Sequence, residues 1–430
     1  MKLEFHILQN FAPSCLNRDD TGSPKDCEFG GIRRARISSQ CYKRAIRQAF
    51  KEHNLLAEHE LTDRTKRLAI EVAGRVAASK TVDTKLALDV TQRTIEGAGL
   101  GFAKRAKEED DLKTEYLLFM PRRSIQAIAD LISEHWDTLL AFHEAAVGTA
   151  APVADKKEDG AKAKAKTAKQ KKNEAQASFP TELRDQIQAL LADRRRAPEL
   201  ALFGRMIADK PEWNTDAACQ VAHALSTNRA TMEFDFYTAV DDLKPSDTAG
   251  ADMMGTIQFN SACFYRYAVL DLDELAKNLG GAQKDDPEIR ALAKRSMEAF
   301  LRASVVAIPT GKQNSMAAHN PPGFVLAILR DSGAPWSLAN AFLKPVSPSL
   351  HEKQSDLMTR SIEALDKHLG DLARMYGTKG IQQVTFCALD QAAGKDLAEL
   401  GAKGSRLGGK LVDDVEQLIQ GVSAAAYGAA

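Results

Sequence analysis

The chain has 430 residues, 44% of them hydrophobic and 27% charged, and its 58 Lys and Arg balance its 58 Asp and Glu. It is long enough for two or three globular domains, and the composition excludes global disorder. A net charge of zero argues against a nucleic-acid binder unless the cations are gathered in one place. No run approaches the roughly 20 apolar residues of a membrane helix. The start Met1–His6 lacks the apolar stretch of a signal peptide, so a cytoplasmic protein is the expectation. Cys15, Cys27, Cys41, Cys219, Cys263 and Cys387 lie far apart without a CxxC pair. They read as reduced structural thiols, and no metal or other cofactor is expected.

Residues 3–11 read as a strand with Leu3, Phe5 and Ile7 on one face. A polar loop runs from Pro13 to about Gly31, and Arg33–Ile37 reads as extended. Ser38 and Ser39 then offer an N-cap. The helix that follows has a core stripe of Tyr42, Ile46, Ala49 and Phe50. Beside the stripe, Lys43, Arg47 and Lys51 recur every four residues, with Arg44 next to them. The segment Phe29–Lys51 thus holds seven Lys or Arg and no acid. Extended arginines, serine hydroxyls and free N–H groups at a helix start are the chemistry that tracks phosphates without reading bases.

Residues 61–145 read as helical with a break near Gly97–Gly101, and 148–178 as a solvated Ala/Lys-rich insertion. Helical pattern resumes at Thr181–Leu202 and again at Asn214–Asn228. From Met232 the period becomes two: Met232, Phe234, Phe236, Thr238 and Val240 alternate, and so do Ile257 to Tyr267, as in a hairpin arm. Residues 287–308 read as a helix running into a strand, Phe324–Leu329 as a buried strand, Leu338–Phe342 as a short helix and Leu350–Tyr376 as a longer one. The last 40 residues give no clear pattern. Gly404–Lys410 has the letters of a phosphate loop but is followed by Leu411 rather than Ser or Thr. His6 on the first strand could act as an acid or base, though packing under a loop is the commoner role. Asp19, Asp20 and Asp26 could orient neighbouring cations or position a metal for phosphodiester cleavage. The first is favoured.

Several blocks in order resemble the backbone subunit of type I-E CRISPR Cascade complexes, the CasC family. They are Pro13-Ser14-Cys15-Leu16-Asn17-Arg18-Asp19-Asp20, Lys25-Asp26, Phe29-Gly30-Gly31 and Arg34-x-Arg36-Ile37-Ser38-Ser39-Gln40-x-x-Lys43-Arg44-Ala45-x-Arg47. Leu202-x-Gly204-Arg205-Met206, Phe236–Leu243, Phe264–Ala268, Pro309–Gln313 and Leu338–Phe342 continue the likeness, which spans most of the chain. The insertion at 148–178 and the C-terminal 40 residues depart from it.

The resemblance implies an α+β right-hand shape: a ferredoxin-like, RNA-recognition-motif-type palm, a helical fingers insertion and a β-hairpin thumb. The expected division is palm at 1–51 and 261–430, fingers at 52–229 and thumb at 230–260. It implies a non-catalytic CRISPR RNA-binding subunit that polymerises head to tail along the guide RNA beside other Cascade subunits. Bases displaced at regular intervals would let the guide pair with target DNA in segments. Arg18, Lys25, Arg34, Ser38, Gln40, Lys43, Arg44 and Arg47 would hold phosphates and sugars, with Lys312 and Gln313 adding to them. Met206, Phe236, Tyr237, Thr238 and Val240 would wedge beside bases. The alternatives are a metal-dependent endoribonuclease of the related type III backbone type, using Asp20 or Asp26, and a general single-strand-binding protein.

Overall fold

A computed structural model describes residues 1–102, 112–148, 179–239, 242–243, 253–348, 356–389 and 409–428. The insertion expected at 148–178, apart from its first residue, lies outside them, as do Val240 and Gly404–Gly408. The chain forms two compact units, Met1–Leu56 with Ala218–Ala430, and Ala57–Ala217.

The first unit begins with β1 (Lys2–Ser14), β2 (Asp26–Phe29), β3 (Ile32–Ile37) and α1 (Ser39–Glu52). Period-two alternation puts Leu3, Phe5 and Ile7 on one face of β1 and Glu4, His6 and Leu8 on the other, and all six are buried. A strand covered on both sides explains why its polar residues are buried too. In α1 the buried residues are Tyr42, Ala45, Ile46, Ala49 and Phe50, the expected stripe widened by one alanine.

The second unit pairs β4 (Thr62–Thr65) with β5 (Leu118–Pro121), a ladder the helical periodicity of 61–145 hides. Helices at Leu68–Lys80, Thr84–Gly97, Arg122–Glu134, Trp136–Gly148, Thr181–Ala192 and Pro198–Phe203 surround it. Their core includes Val72, Val90, Ile95, Ile128, Phe179 and Ile187. The helix break expected near Gly97 is there, and a Cβ on Gly97 would stand 2.5 Å from the Phe179 ring.

On returning to the first unit, the chain forms β6 (Cys219–Val221) and β7 (Ala224–Ser226), where sequence reading expected a helix over 214–228. Pairing with a long neighbouring strand overrides the helical expectation there. That neighbour is β9 (Met253–Asp271), preceded by β8 (Glu233–Ala239). Then come helices Leu272–Gly280 and Pro287–Val306, β10 (Phe324–Arg330), helix Leu357–Tyr376, β11 (Ile381–Ala388), β12 (Lys410–Leu411) and helix Val415–Tyr427. The helix ending at Val306 does not run into a strand, and β11 was not anticipated.

The sheet is mixed, in the order β12-β11-β10-β1-β9-β7-β3-β2, and among the described strands only β11 and β12 pair in parallel. Helix Leu357–Tyr376 covers Leu8, Tyr265 and Leu326 on one face through Ile362, Leu365 and Leu369. Among the described residues no helix is long and apolar enough to cross a membrane.

Candidate nucleic-acid interface

Three features of the first unit meet at one end of its sheet. The last pair of β1 with β9 is Ser14↔Asn260. At Ser14 the chain leaves β1 for the loop carrying Arg18 and Lys25, and before Asn260 β9 runs out of the sheet to pair with β8 alone. The Asn17 Oδ1 accepts the Ser38 N–H at 2.8 Å, which brings the start of α1 to the same loop.

The loop is built from within. Asp19 Oδ1 accepts the Thr21 hydroxyl at 2.8 Å and the Thr21 and Ser23 N–H groups at 2.9 Å each. These bonds, that of the Thr21 hydroxyl first, hold the Asp19 carboxyl below its ordinary value. Asp19 therefore orders backbone, while Asp26 pairs with Arg33 on the facing strand. A Cβ on Gly311 would stand 2.4 Å from the Leu16 carbonyl oxygen, so glycine lets the Lys312 turn lie against the same loop. Lys312 itself takes a left-handed φ of 53°.

The cations lie near two thiols, Cys15 buried and Cys41 half-buried. Burial pushes the Cys15 thiol up while Arg18 and Lys312 pull it down. Burial likewise raises Cys41 against Lys25 and Arg44. His223, on the turn between β6 and β7, is lowered by partial burial and then by Arg36 and Lys25. Its Nδ1 accepts the Ser39 N–H at 3.3 Å. Asn17 lies in a family-like block but, like His223, was no candidate site residue, since both act through contacts formed only in the fold.

Exposure divides the expected phosphate ligands. Arg18, Gln40 and Arg44 are exposed, and Lys25, Lys43, Arg47, Lys312 and Gln313 are half-buried. Lys43 and Arg47 have partners within the protein. Gln313 spends its amide on the Pro309 and Ala318 carbonyls at 3.2 and 3.3 Å.

Two expectations need correction. Arg34 is fully buried, and its guanidinium donates to the carbonyls of Ser226 at 3.1 Å, Thr227 at 2.7 Å, Phe342 and Leu343. It ties β3 to two loops and is withdrawn from the cationic surface. The start of α1 is also less open than its serines imply. Ser38 is buried, its hydroxyl caps the Cys41 N–H at 3.3 Å, and the Ser38 and Ser39 N–H groups are taken by Asn17 and His223.

Of the expected wedge residues, Phe236, Tyr237 and Thr238 are exposed on β8, and Val240 lies outside the described residues. Met206 belongs to the second unit. There Arg205 is buried and donates to the carbonyls of Trp213 at 2.8 Å and Ala192 at 2.7 Å. Gly204, at φ 74°, would set a Cβ 2.7 Å from the Thr215 oxygen. This locked turn leaves Met206 87% exposed beside a groove of about 790 Å³ lined also by Arg64, Lys66 and Leu117.

His6 is buried: its Nδ1 lies 2.9 Å from the Tyr265 hydroxyl, which accepts the Leu338 N–H at 2.9 Å. Its role is therefore to hold the loop above it. Arg330 donates to Glu4 Oε1 at 2.8 Å and the Trp336 N–H to Glu4 Oε2 at 3.0 Å, which fastens the same loop.

No curated protein sequence matches the chain. Solved structures do. One chain of a "CRISPR RNA-guided surveillance complex, pre-nicking" is 28% identical, with a TM-score of 0.75 over 99% of this chain and 100% of its own. A chain of a second "CRISPR RNA-guided surveillance complex" is 24% identical, with a TM-score of 0.68 over the same shares, and shows the likeness of fold alone. The pattern of the CT1975-like protein family (Cas_CT1975) matches residues 3–410, nearly the whole length, and the chain belongs to that family.

Proposed function

We propose that this protein is a non-catalytic subunit that grips the guide RNA in a CRISPR RNA-guided surveillance complex, as a backbone subunit of the type I-E (CasC) kind. The observation that carries the reading is the convergence at Ser14↔Asn260: a cationic loop, the start of a cation-bearing helix and the root of a hairpin arm with exposed aromatic side chains share one end of one sheet. Cations there give affinity and register, and exposed aromatic side chains offer stacking surfaces to unpaired bases. Sequence recognition is left to base pairing between guide and target DNA.

In this reading the first unit is palm and thumb, with β8 and the first part of β9 as the thumb, and the second unit is the fingers. Arg18, Lys25, Gln40, Arg44 and Lys312 take phosphates and sugars, with Lys43 and Arg47 beside them. Copies repeat head to tail along the guide, and such an open series needs other subunits to end it.

The test is co-expression with a guide RNA and the partner subunits, followed by purification and mass measurement. Several copies on RNA of one uniform length are expected, whereas heterogeneous RNA would point to a general single-strand binder. The same complex incubated with labelled complementary RNA and magnesium should leave it intact. Cleavage that disappears in Asp20→Ala would overturn the non-catalytic reading.

A further inference from the structure

Among the described residues four arginines are buried, and one of them is poorly neutralised. Arg330 has the Glu4 carboxylate at 2.8 Å. Arg34 and Arg205 each donate to four backbone carbonyls. Arg266 has less. Its Nη1 donates to Gln9 Oε1 at 2.7 Å and its Nη2 to the Ser304 carbonyl at 2.6 Å, while its guanidinium carbon stands 4.1 Å from the centre of the Tyr42 ring. These two bonds use two of the five guanidinium N–H groups. No carboxylate among the described residues pairs with it; burial pulls the guanidinium down and Tyr42 alone pushes back. A charge taken out of water without a counter-charge is costly.

The pairing Ile7↔Arg266 puts Arg266 on the same face of the sheet as Phe5 and Ile7. There it borders a cavity of about 20 Å³ within the first unit. Phe5, Ile7 and Val221 give the cavity apolar walls, and Tyr42 of α1 and Ser304 of helix Pro287–Val306 bring hydroxyls to it. Both residues are buried, and neither hydroxyl has a hydrogen-bond partner. A buried serine in a helix can return its hydroxyl to the carbonyl one turn back, as Ser296 does to Leu292 at 2.7 Å on the same helix. Ser304 does not. Burial pushes the Tyr42 hydroxyl up to about 12, so it keeps its proton and can donate.

We propose that this cavity binds one small monovalent anion of the size of chloride, which neutralises Arg266 and accepts hydrogen bonds from the Tyr42 and Ser304 hydroxyls. The volume fits a single occupant, since one water needs roughly 10–15 Å³ measured in the same way. A phosphate or a carboxylate is too large for it. The charge of Arg266 selects an anion over water, because water would leave that charge uncompensated. The site is independent of the RNA reading and lies inside the fold rather than on the cationic surface. Its occupant would join β9, α1 and helix Pro287–Val306, so the salt that loosens phosphate contacts outside would tighten the packing beneath them.

The experiment melts the full-length chain in sodium chloride and in sodium gluconate at matched ionic strength, gluconate being too large to enter. The midpoint should stand a few degrees higher in chloride and level off as chloride rises, as saturation of one site requires. Equal midpoints in the two salts would overturn the proposal. Tyr42→Phe with Ser304→Ala keeps the ring over Arg266 and the helix while removing both hydroxyl donors. It should abolish the chloride-specific rise, and a rise that persists in the double variant counts against the site. Crystals of the native protein soaked in bromide give a measurement that needs no variant. An anomalous peak is expected in the cavity, within hydrogen-bond reach of the Tyr42 and Ser304 hydroxyls. An empty cavity, or a water there without anomalous signal, would overturn the assignment.

Discussion

Strand β3 and helix α1 are consecutive in the chain and both basic, yet Arg34 of the one and Arg44 of the other are used in opposite ways. Arg34 on β3 is turned wholly inward and engages four carbonyls. Arg44 on α1 stands in solvent ten residues later. The pleat of β3 turns Arg34 inward and leaves its neighbour Arg33 70% exposed on the other side, whereas an amphipathic helix keeps half of its circumference wet. A run of cations in a sequence therefore states how much charge is present and not which way it faces.

The contrast is broken most directly at Arg34. Arg34→Ala strands several buried carbonyls and should destabilise the first unit by about 3 kcal/mol or more, read as a lower urea midpoint. Arg34→Lys should recover little of the loss, because an ammonium cannot reproduce the planar fork. If Arg34→Ala kept native stability and lost only RNA, its structural assignment would be wrong. Next comes the surface. Lys25→Ala with Arg44→Ala should leave stability within about 0.5 kcal/mol of native. It should weaken RNA binding and reduce the salt slope by about 0.7 per lost phosphate contact, measured by titration at several salt concentrations.

The smallest expected effect concerns the buried pair on β1. Burial pushes the His6 imidazole below its ordinary 6.5, with Glu4 only partly restoring it. Burial raises Glu4, but His6, Arg330 and the Trp336 N–H outweigh this and hold it below 4.5. Both folded values are depressed, so the unfolded chain takes up protons first and stability falls with acid. The decline should begin as pH drops below 6.5 for His6 and steepen below 4.5 for Glu4. Urea melts of His6→Asn should flatten the upper part of that profile, and an unchanged profile would remove His6 from the account.

What could be read from the sequence followed local physics. The stripe of α1, the Ser38 cap, the alternation of β8 and β9 and the break after Gly97 are each set by residues within a few positions of one another. What could not be read depended on distant partners. β6 and β7 exist because β9 is there to pair with, and β4 because β5 returns fifty residues later. The site divides along the same line. Arg18, Lys25 and Arg44 are exposed or half-exposed as a polar loop and a helix flank require. Arg34 and Ser38 are claimed by Thr227, Phe342, Asn17 and Cys41, and most of those partners lie far off in sequence. Three of the arginines in the family-like blocks, Arg34, Arg205 and Arg266, are buried, so charge in a motif can be a bolt as well as a handle.

Strand β9 runs for 19 residues without interruption, its outer part paired only to β8 and its inner part wedged between β1 and β7. The arm is therefore a cantilever, clamped at Asn260 in the middle of the sheet with no hinge at its root. Its reach can change only in even steps. Removing two residues from each strand would shorten it by about 7 Å and keep its orientation. Removing one from each would invert every side chain beyond the cut, turning Glu233 and Asp235 to where Phe234 and Phe236 now face. Arm length in such a protein is quantised by the pleat.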